Sequence, residues 1–183
     1  MNTSKNNIIF FIFVEFSTIL LYTYLNIFLK VSYMKEILRE IGMISRCCAT
    51  ISDIEFKEIN LSKGQYLYLV RIYENPGIIQ DKVASLLKVD RSTAAKSIKK
   101  LVEHGLVKKE KDEHNKKELK LYCTEKGAEL YPFLQREEEY STEVITENIT
   151  QDEIEITLKV LYKMRINIEK EWENMKKGII RRY

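Results

Sequence analysis

Two prolines and six glycines are all that punctuate these 183 residues, too few turn formers for an all-β chain, so helices are expected to dominate. Cysteine is equally sparse. Cys47, Cys48 and Cys123 are too few and too unevenly spaced for a disulfide framework or a C-x-x-C metal site. Adjacent cysteines on one helix also point in different directions, which hinders sharing a ligand. A reduced, cytoplasmic protein fits this usage. The two histidines, His104 and His114, stand near no cluster of ligand residues, so no metal is expected. Motifs of catalysis are absent too: no G-x-S-x-G, no glycine-rich phosphate loop, no H-E-x-x-H, and no strand–helix alternation to build a cofactor site. The chain is therefore read as a non-enzyme needing no cofactor. With 45% hydrophobic and 31% charged residues, it is rich enough in apolar side chains for one good core.

Net charge is only +3, but its distribution is uneven. From Lys88 to Lys120 eleven Lys/Arg face six Asp/Glu, whereas from Leu121 to Glu173 six Lys/Arg face thirteen Asp/Glu. A basic module followed by an acidic helical one suggests that the first meets a polyanion and the second does not. A solvated charged face is the alternative.

The N-terminus is anomalous. Ile8 to Val31 carries only Glu15 and Lys30 as charges, and its length matches the roughly 20 apolar residues that cross a bilayer. No small-x-small site follows it, against a cleaved signal peptide. Lys30 to Met34 can be encoded by a string holding a ribosome-binding-like AGGTGA just before an ATG. Translation starting at Met34, with residues 1–33 a mis-called extension, is the expectation; a membrane anchor or an extra packing helix are the alternatives.

From Met34 onward the pattern is helical. Ile37, Ile41, Ile44, Cys48 and Ile51 form one apolar stripe. Ser62-Lys-Gly-Gln65 has the form of a capping box, opening a helix in which Tyr66, Leu67, Leu69, Val70, Ile72 and Tyr73 are expected inside, and Asn75-Pro76-Gly77 ends it. Ile79 to Val89 is read as a short helix with Val83, Leu86 and Leu87 inward and Ala84 where a second helix approaches. Asp90 caps the next, which runs to His104 with Ala94, Ile98, Leu101 and Val102 inward and stops at Gly105. Leu106–Lys111 and Glu118–Cys123 then form a β-hairpin, the second strand alternating Leu119, Leu121 and Cys123 against Glu118, Lys120 and Tyr122. Thr124 is placed to cap a helix running toward Ile149, bent by Pro132. Thr150-Gln-Asp-Glu153, a second capping box, opens a last helix with Ile154, Leu158, Leu161, Met164, Ile168 and Trp172 on one side. Stripes this long have no partner within so short a chain, which predicts a two-fold homodimer packed through Ile37, Ile41, Ile44, Leu158, Leu161, Ile168 and Trp172.

Two short helices around a tight turn, followed by a basic hairpin, make a winged helix-turn-helix: a mainly α fold with a small β wing and terminal dimerisation helices. The second helix offers Arg91, Ser92, Thr93, Ala95, Lys96, Lys99 and Lys100 on or near the face away from its core residues. Arg and Lys donate to guanine or neutralise phosphate, Ser and Thr reach phosphate or base edges, and Ala leaves room for a thymine methyl. The wing carries Lys108, Lys109, Lys111, Asn115, Lys116 and Lys117, suited to phosphates and the adjoining minor groove. Double-stranded DNA is the expected partner. A winged-helix module that binds proteins, or a membrane-tethered regulator if residues 1–33 are genuine, are the rival readings.

The run VDRSTAAKSIKKLVEHGLVKK (Val89–Lys109) and the run NKKELKLYCTEKG (Asn115–Gly127) resemble the recognition helix and wing of the MarR family of transcriptional regulators. The likeness extends over roughly Met34 to Trp172. It implies dimerisation segments at 34–60 and 125–175 and a DNA-binding domain at 61–124; beyond them 176–183 is read as a basic tail. It also implies a dimer whose recognition helices enter successive major grooves of a pseudo-palindromic operator, a repressor released by a small-molecule effector or an oxidant. The chain departs from the family at the wing tip, where Asn115, Lys116 and Lys117 stand in place of an Asp followed by basic residues that include an Arg. Lys lacks the planar guanidinium suited to a narrow groove, so the wing is expected to position the protein without discriminating A·T tracts. The cysteines do not align with the first-helix cysteine of the family's hydroperoxide sensors, which leaves thiol sensing through Cys47 only as an alternative.

Overall fold

A computed structural model describes residues 3–111 and 118–182, and within the first helix the side chains of residues 20–26 and 33–55. The elements run α1 (Thr3–Glu55), α2 (Gln65–Glu74), β1 (Ile78–Ile79), α3 (Gln80–Leu86), α4 (Arg91–Glu103), β2 (Val107–Lys111), β3 (Leu119–Cys123), α5 (Glu125–Ile145) and α6 (Gln151–Lys176). They form two compact units that divide after Thr124. The architecture is mainly helical, with one three-stranded antiparallel sheet in the order β1-β3-β2.

The core of the first unit is assembled by helical spacing. Ala94, Ile98 and Leu101 recur every three or four residues along α4 and are fully buried. They join Leu69 and Ile72 of α2, Val83 and Ala84 of α3, and Val107 and Leu121 of the sheet. Each large aliphatic side chain so buried contributes about 1.5–3 kcal/mol. Alanine at position 84 fits a helix pair in close approach. Phe56 and Leu61, fully buried, secure the segment between α1 and α2, where the Phe56 and Tyr66 rings meet at 4.9 Å. Gly77, at φ +83, lies beneath Tyr122 and lets the chain enter β1; its N–H donates to the Leu121 carbonyl at 2.9 Å. Gly105, at φ +71, ends α4 as expected, and the Thr124 hydroxyl donates to its carbonyl at 2.7 Å.

Several local expectations need correction. No Ser62 capping box forms. Lys63 and Gly64 both take left-handed conformations, the Lys63 N–H donates to Asp53 Oδ1 at 2.6 Å, and α2 starts at Gln65 without a side-chain cap. Leu67 and Tyr73 lie on the exposed side of α2, while Tyr68 and Gln65, unforeseen, are buried. Leu86 and Val102 are exposed as well: Val102 stands about 100° round α4 from buried Leu101, and Leu86 ends α3 with exposed Ser85 before it. Ile78 and Ile79 belong to a strand, paired with Leu121 and Lys120, so α3 begins one residue later than expected and ends sooner. Helix α5 stops at Ile145, short of Ile149, with Pro132 in its interior.

The second capping box is present. Thr150 Oγ1 accepts from the Glu153 N–H while Glu153 accepts from the Thr150 N–H. Along α1 the stripe Ile37, Ile41, Ile44 and Ile51 is exposed and Cys48 half-buried. No residue of α6 is buried, and Leu158 (67% exposed), Leu161 and Ile168 face outward. Trp172 is half-buried, with the Lys176 ammonium 4.2 Å above its ring.

Helix α1 passes through Met34 without a break. Leu20, Leu21, Tyr22, Tyr24 and Leu25 are exposed and spread over more than half its circumference, so they form no single seam. The remaining side chains of the apolar run lie outside the described residues. Among the described residues, no helix is long and apolar enough to cross a membrane.

Candidate nucleic-acid interface

Helix α4 is built to present one face. Asp90 precedes it in extended conformation and its carbonyl accepts from the Ala94 N–H at 3.0 Å, closing the first turn. With Ala94, Ile98 and Leu101 inward, a rotation of 100° per residue centres Ser92, Lys96 and Lys99 on the opposite side. Thr93 and Lys100 flank them on one edge and half-buried Ala95 on the other, while Arg91 lies nearer the core side and is exposed because it begins the helix. Six of the seven residues expected to read DNA therefore share the exposed half of one helix, while Arg91 is reached at the helix start, and all but Ala95 are exposed. The tight turn before α4 puts Lys88 in the left-handed region, at φ +54.

Two acidic residues enter this face that sequence reasoning did not single out. Asp81, in the first turn of α3, holds Arg91 through Oδ2···Nη2 at 3.0 Å. Glu103, one turn beyond Lys99, lies 3.6 Å from its ammonium. Only the second is legible in sequence, as an i,i+4 pair.

In the wing, the register Lys108↔Tyr122, Lys109↔Leu121, Glu110↔Lys120 and Lys111↔Leu119 divides the lysines between faces. Lys109 and Lys111 extend the face that carries buried Val107 and Leu121. Lys108 lies on the other, 2.8 Å from the Glu110 carboxylate and 5.9 Å above the Tyr122 ring. The hydrogen bond and charge of Glu110 hold the Lys108 ammonium above the usual lysine range. The Lys108 charge is thus already paired, whereas Lys109 and Lys111 form no ion pair among the described residues. Asn115, Lys116 and Lys117, named for the wing tip, lie outside the described residues.

Cys123 Sγ lies 3.8 Å from the Leu69 carbonyl oxygen, and desolvation pushes its thiol up to about 11. Such a group is a structural thiol and a poor nucleophile. Among the described residues no group of three or more His, Cys, Asp or Glu is arranged to hold a metal ion.

Comparison with known proteins agrees with this geometry. The sequence model of the MarR family matches residues 61–119, the span from Leu61 through the start of β3. The HTH-type transcriptional regulator YybA of Bacillus subtilis (strain 168), itself uncharacterized, is 57% identical over 150 residues, which is 82% of this chain and 100% of the relative. A putative MarR family transcriptional regulator from Listeria monocytogenes, solved in complex with 26mer DNA, superposes with a TM-score of 0.77 at 49% identity, covering 80% of this chain and 97% of that one. A MarR protein from Peptoclostridium difficile gives 0.73 at 42%, covering 76% and 91%.

Proposed function

This chain belongs to the MarR family of DNA-binding transcription regulators, and from that premise we propose that it works in the cytoplasm as a homodimeric repressor on a pseudo-palindromic operator. The observation that carries this reading is the exposed half of α4. Ser92, Lys96 and Lys99 stand at its centre, with Thr93, Ala95 and Lys100 at its edges, Arg91 at the helix start and the Lys109–Lys111 strand following in the chain. Short hydroxyls and a methyl leave room for base edges, and the cations around them supply affinity for the sugar–phosphate backbone. A protein-binding module would instead present an apolar helix face.

Two copies are needed to read a palindrome, because each contributes one recognition helix. The exposed apolar residues of α1 and of α6 supply self-complementary surface for that pairing. Release by a small-molecule effector completes the proposed cycle; it requires only that the effector bind the DNA-free conformation more tightly.

Footprinting on the DNA flanking the protein's own gene tests the proposal. Two protected half-sites about one helical turn apart are expected, with affinity falling steeply as salt is raised. A Lys96→Ala/Lys99→Ala double variant that keeps its helical content should lose most of the protection. Absence of any protected site at low ionic strength, or protection indifferent to both lysines, would overturn it.

A further inference from the structure

The contact between Asp81 and Arg91 is an ion pair between two elements at the recognition face. It joins the first turn of α3 to the first residue of α4, so no periodicity of either helix creates it. Arg91 is 78% exposed and Asp81 48%, and an ion pair that wet adds little to stability. Its consequence lies in what the guanidinium can do next. Arg91 begins α4, where the helix dipole disfavours a cation and where residues of a recognition helix reach base edges.

A lone guanidinium at that place is drawn to the nearest phosphate, whatever the sequence. With a carboxylate already beside Nη2, the pair carries no net charge and gains little from an anion. Its remaining N–H groups still suit a neutral acceptor pair. In the major groove that acceptor is the O6/N7 edge of guanine. Asp81 would also meet any approaching phosphate as a like charge.

We propose that Asp81 is a specificity-determining positioning residue, which holds Arg91 off the phosphates and onto a guanine at one fixed position of each half-site. This inference rests on the DNA-binding reading above and adds the base that one side chain reads.

The experiment measures dissociation constants of the full chain for three duplexes: the footprinted operator, a scrambled sequence, and the operator with the relevant G·C pairs changed to A·T. Wild type, Asp81→Ala, Asp81→Asn, Arg91→Ala and the double Asp81→Ala/Arg91→Ala variant are compared across a salt series. Removing the carboxylate should cut the operator-to-scrambled preference about tenfold, the scale of one good bidentate base contact. Part of that change should come from tighter binding to the scrambled duplex, with a salt slope steeper by about one unit as Arg91 gains a phosphate. Asp81→Asn should behave like Asp81→Ala, and neither should alter the preference once Arg91 is alanine. The G·C to A·T operator should weaken wild type but not Arg91→Ala. Should the Asp81 variants keep the wild-type preference and salt slope, or should Asp81→Ala act equally with and without Arg91, the inference fails while DNA recognition stands. Should wild type itself fail to distinguish operator from scrambled DNA, the functional reading fails first.

Discussion

Gly77 carries two demands at once: a left-handed backbone and close approach to a ring. A Cβ built there would lie 3.1 Å from the Tyr122 hydroxyl oxygen, at φ +83. Gly77→Ala should therefore destabilise the protein by about 1–2 kcal/mol from the backbone alone, with more if Tyr122 cannot move. Urea unfolding of the variant checks this, and an unchanged midpoint would refute it. Cys123 makes a second residue-scale test. Its folded value of about 11 stands above the ordinary cysteine value of 9.0, so the neutral thiol is the form the fold favours. That contribution is complete below the unfolded value and is lost as pH rises from about 9 toward 11. In a Cys47→Ser/Cys48→Ser background, alkylation of Cys123 should be suppressed at neutral pH and reach half its limiting rate near pH 11. A midpoint at the ordinary cysteine value would show that burial does not govern this thiol.

Thr150 and Ser62 begin the same S/T-x-x-E/Q pattern, yet only Thr150 caps a helix. The difference is non-local: the Lys63 N–H is taken by Asp53, and two successive left-handed residues turn the Ser62 segment out of capping geometry. Nothing in four residues of sequence carries that information. At the real cap, the hydrogen bonds from the Thr150 side chain and backbone hold the Glu153 carboxyl below the usual glutamate range. The sign follows directly. The ionised box stabilises α6 above the unfolded Glu value and is lost as pH falls through the lower folded one. Thr150→Ala should cost about 1 kcal/mol and flatten that acid-side dependence in denaturation measured from pH 7 to pH 3. Elements with several residues of regular period were legible from sequence in the same way, α4, β3 and α6 above all. Strand β1 was not, because Ile78 and Ile79 are too few to show alternation and become a strand only by pairing with β3. The basic face of α4 was legible because core spacing fixes its opposite side; the Asp81 contact was not, because it depends on how α3 and α4 meet.

At the scale of the whole chain, apolar residues stay partly open on α1 in one unit and on α6 in the other. Ile37, Ile41 and Ile44 on α1, and Leu158, Leu161 and Ile168 on α6, keep at least a third of their surface open. Helices with one apolar stripe are rarely stable with that stripe in water. The proposed second copy would resolve this without new sequence, since a two-fold axis would bring each stripe to its own counterpart. Dimerisation would then matter for function through geometry: one protomer engages a half-site, and the tether turns the second engagement into an intramolecular event. Such coupling multiplies affinity by about 100-fold or more. Leu158→Glu, placing a charge on the α6 stripe, should yield monomers by sedimentation. It should weaken operator binding by about that factor while leaving binding of a single isolated half-site nearly unchanged. The half-site comparison separates the causes, because a damaged recognition helix would weaken both duplexes alike. If Leu158→Glu remained dimeric, or if a monomer bound the full operator as tightly as wild type, the apolar stripes would have to serve something other than pairing.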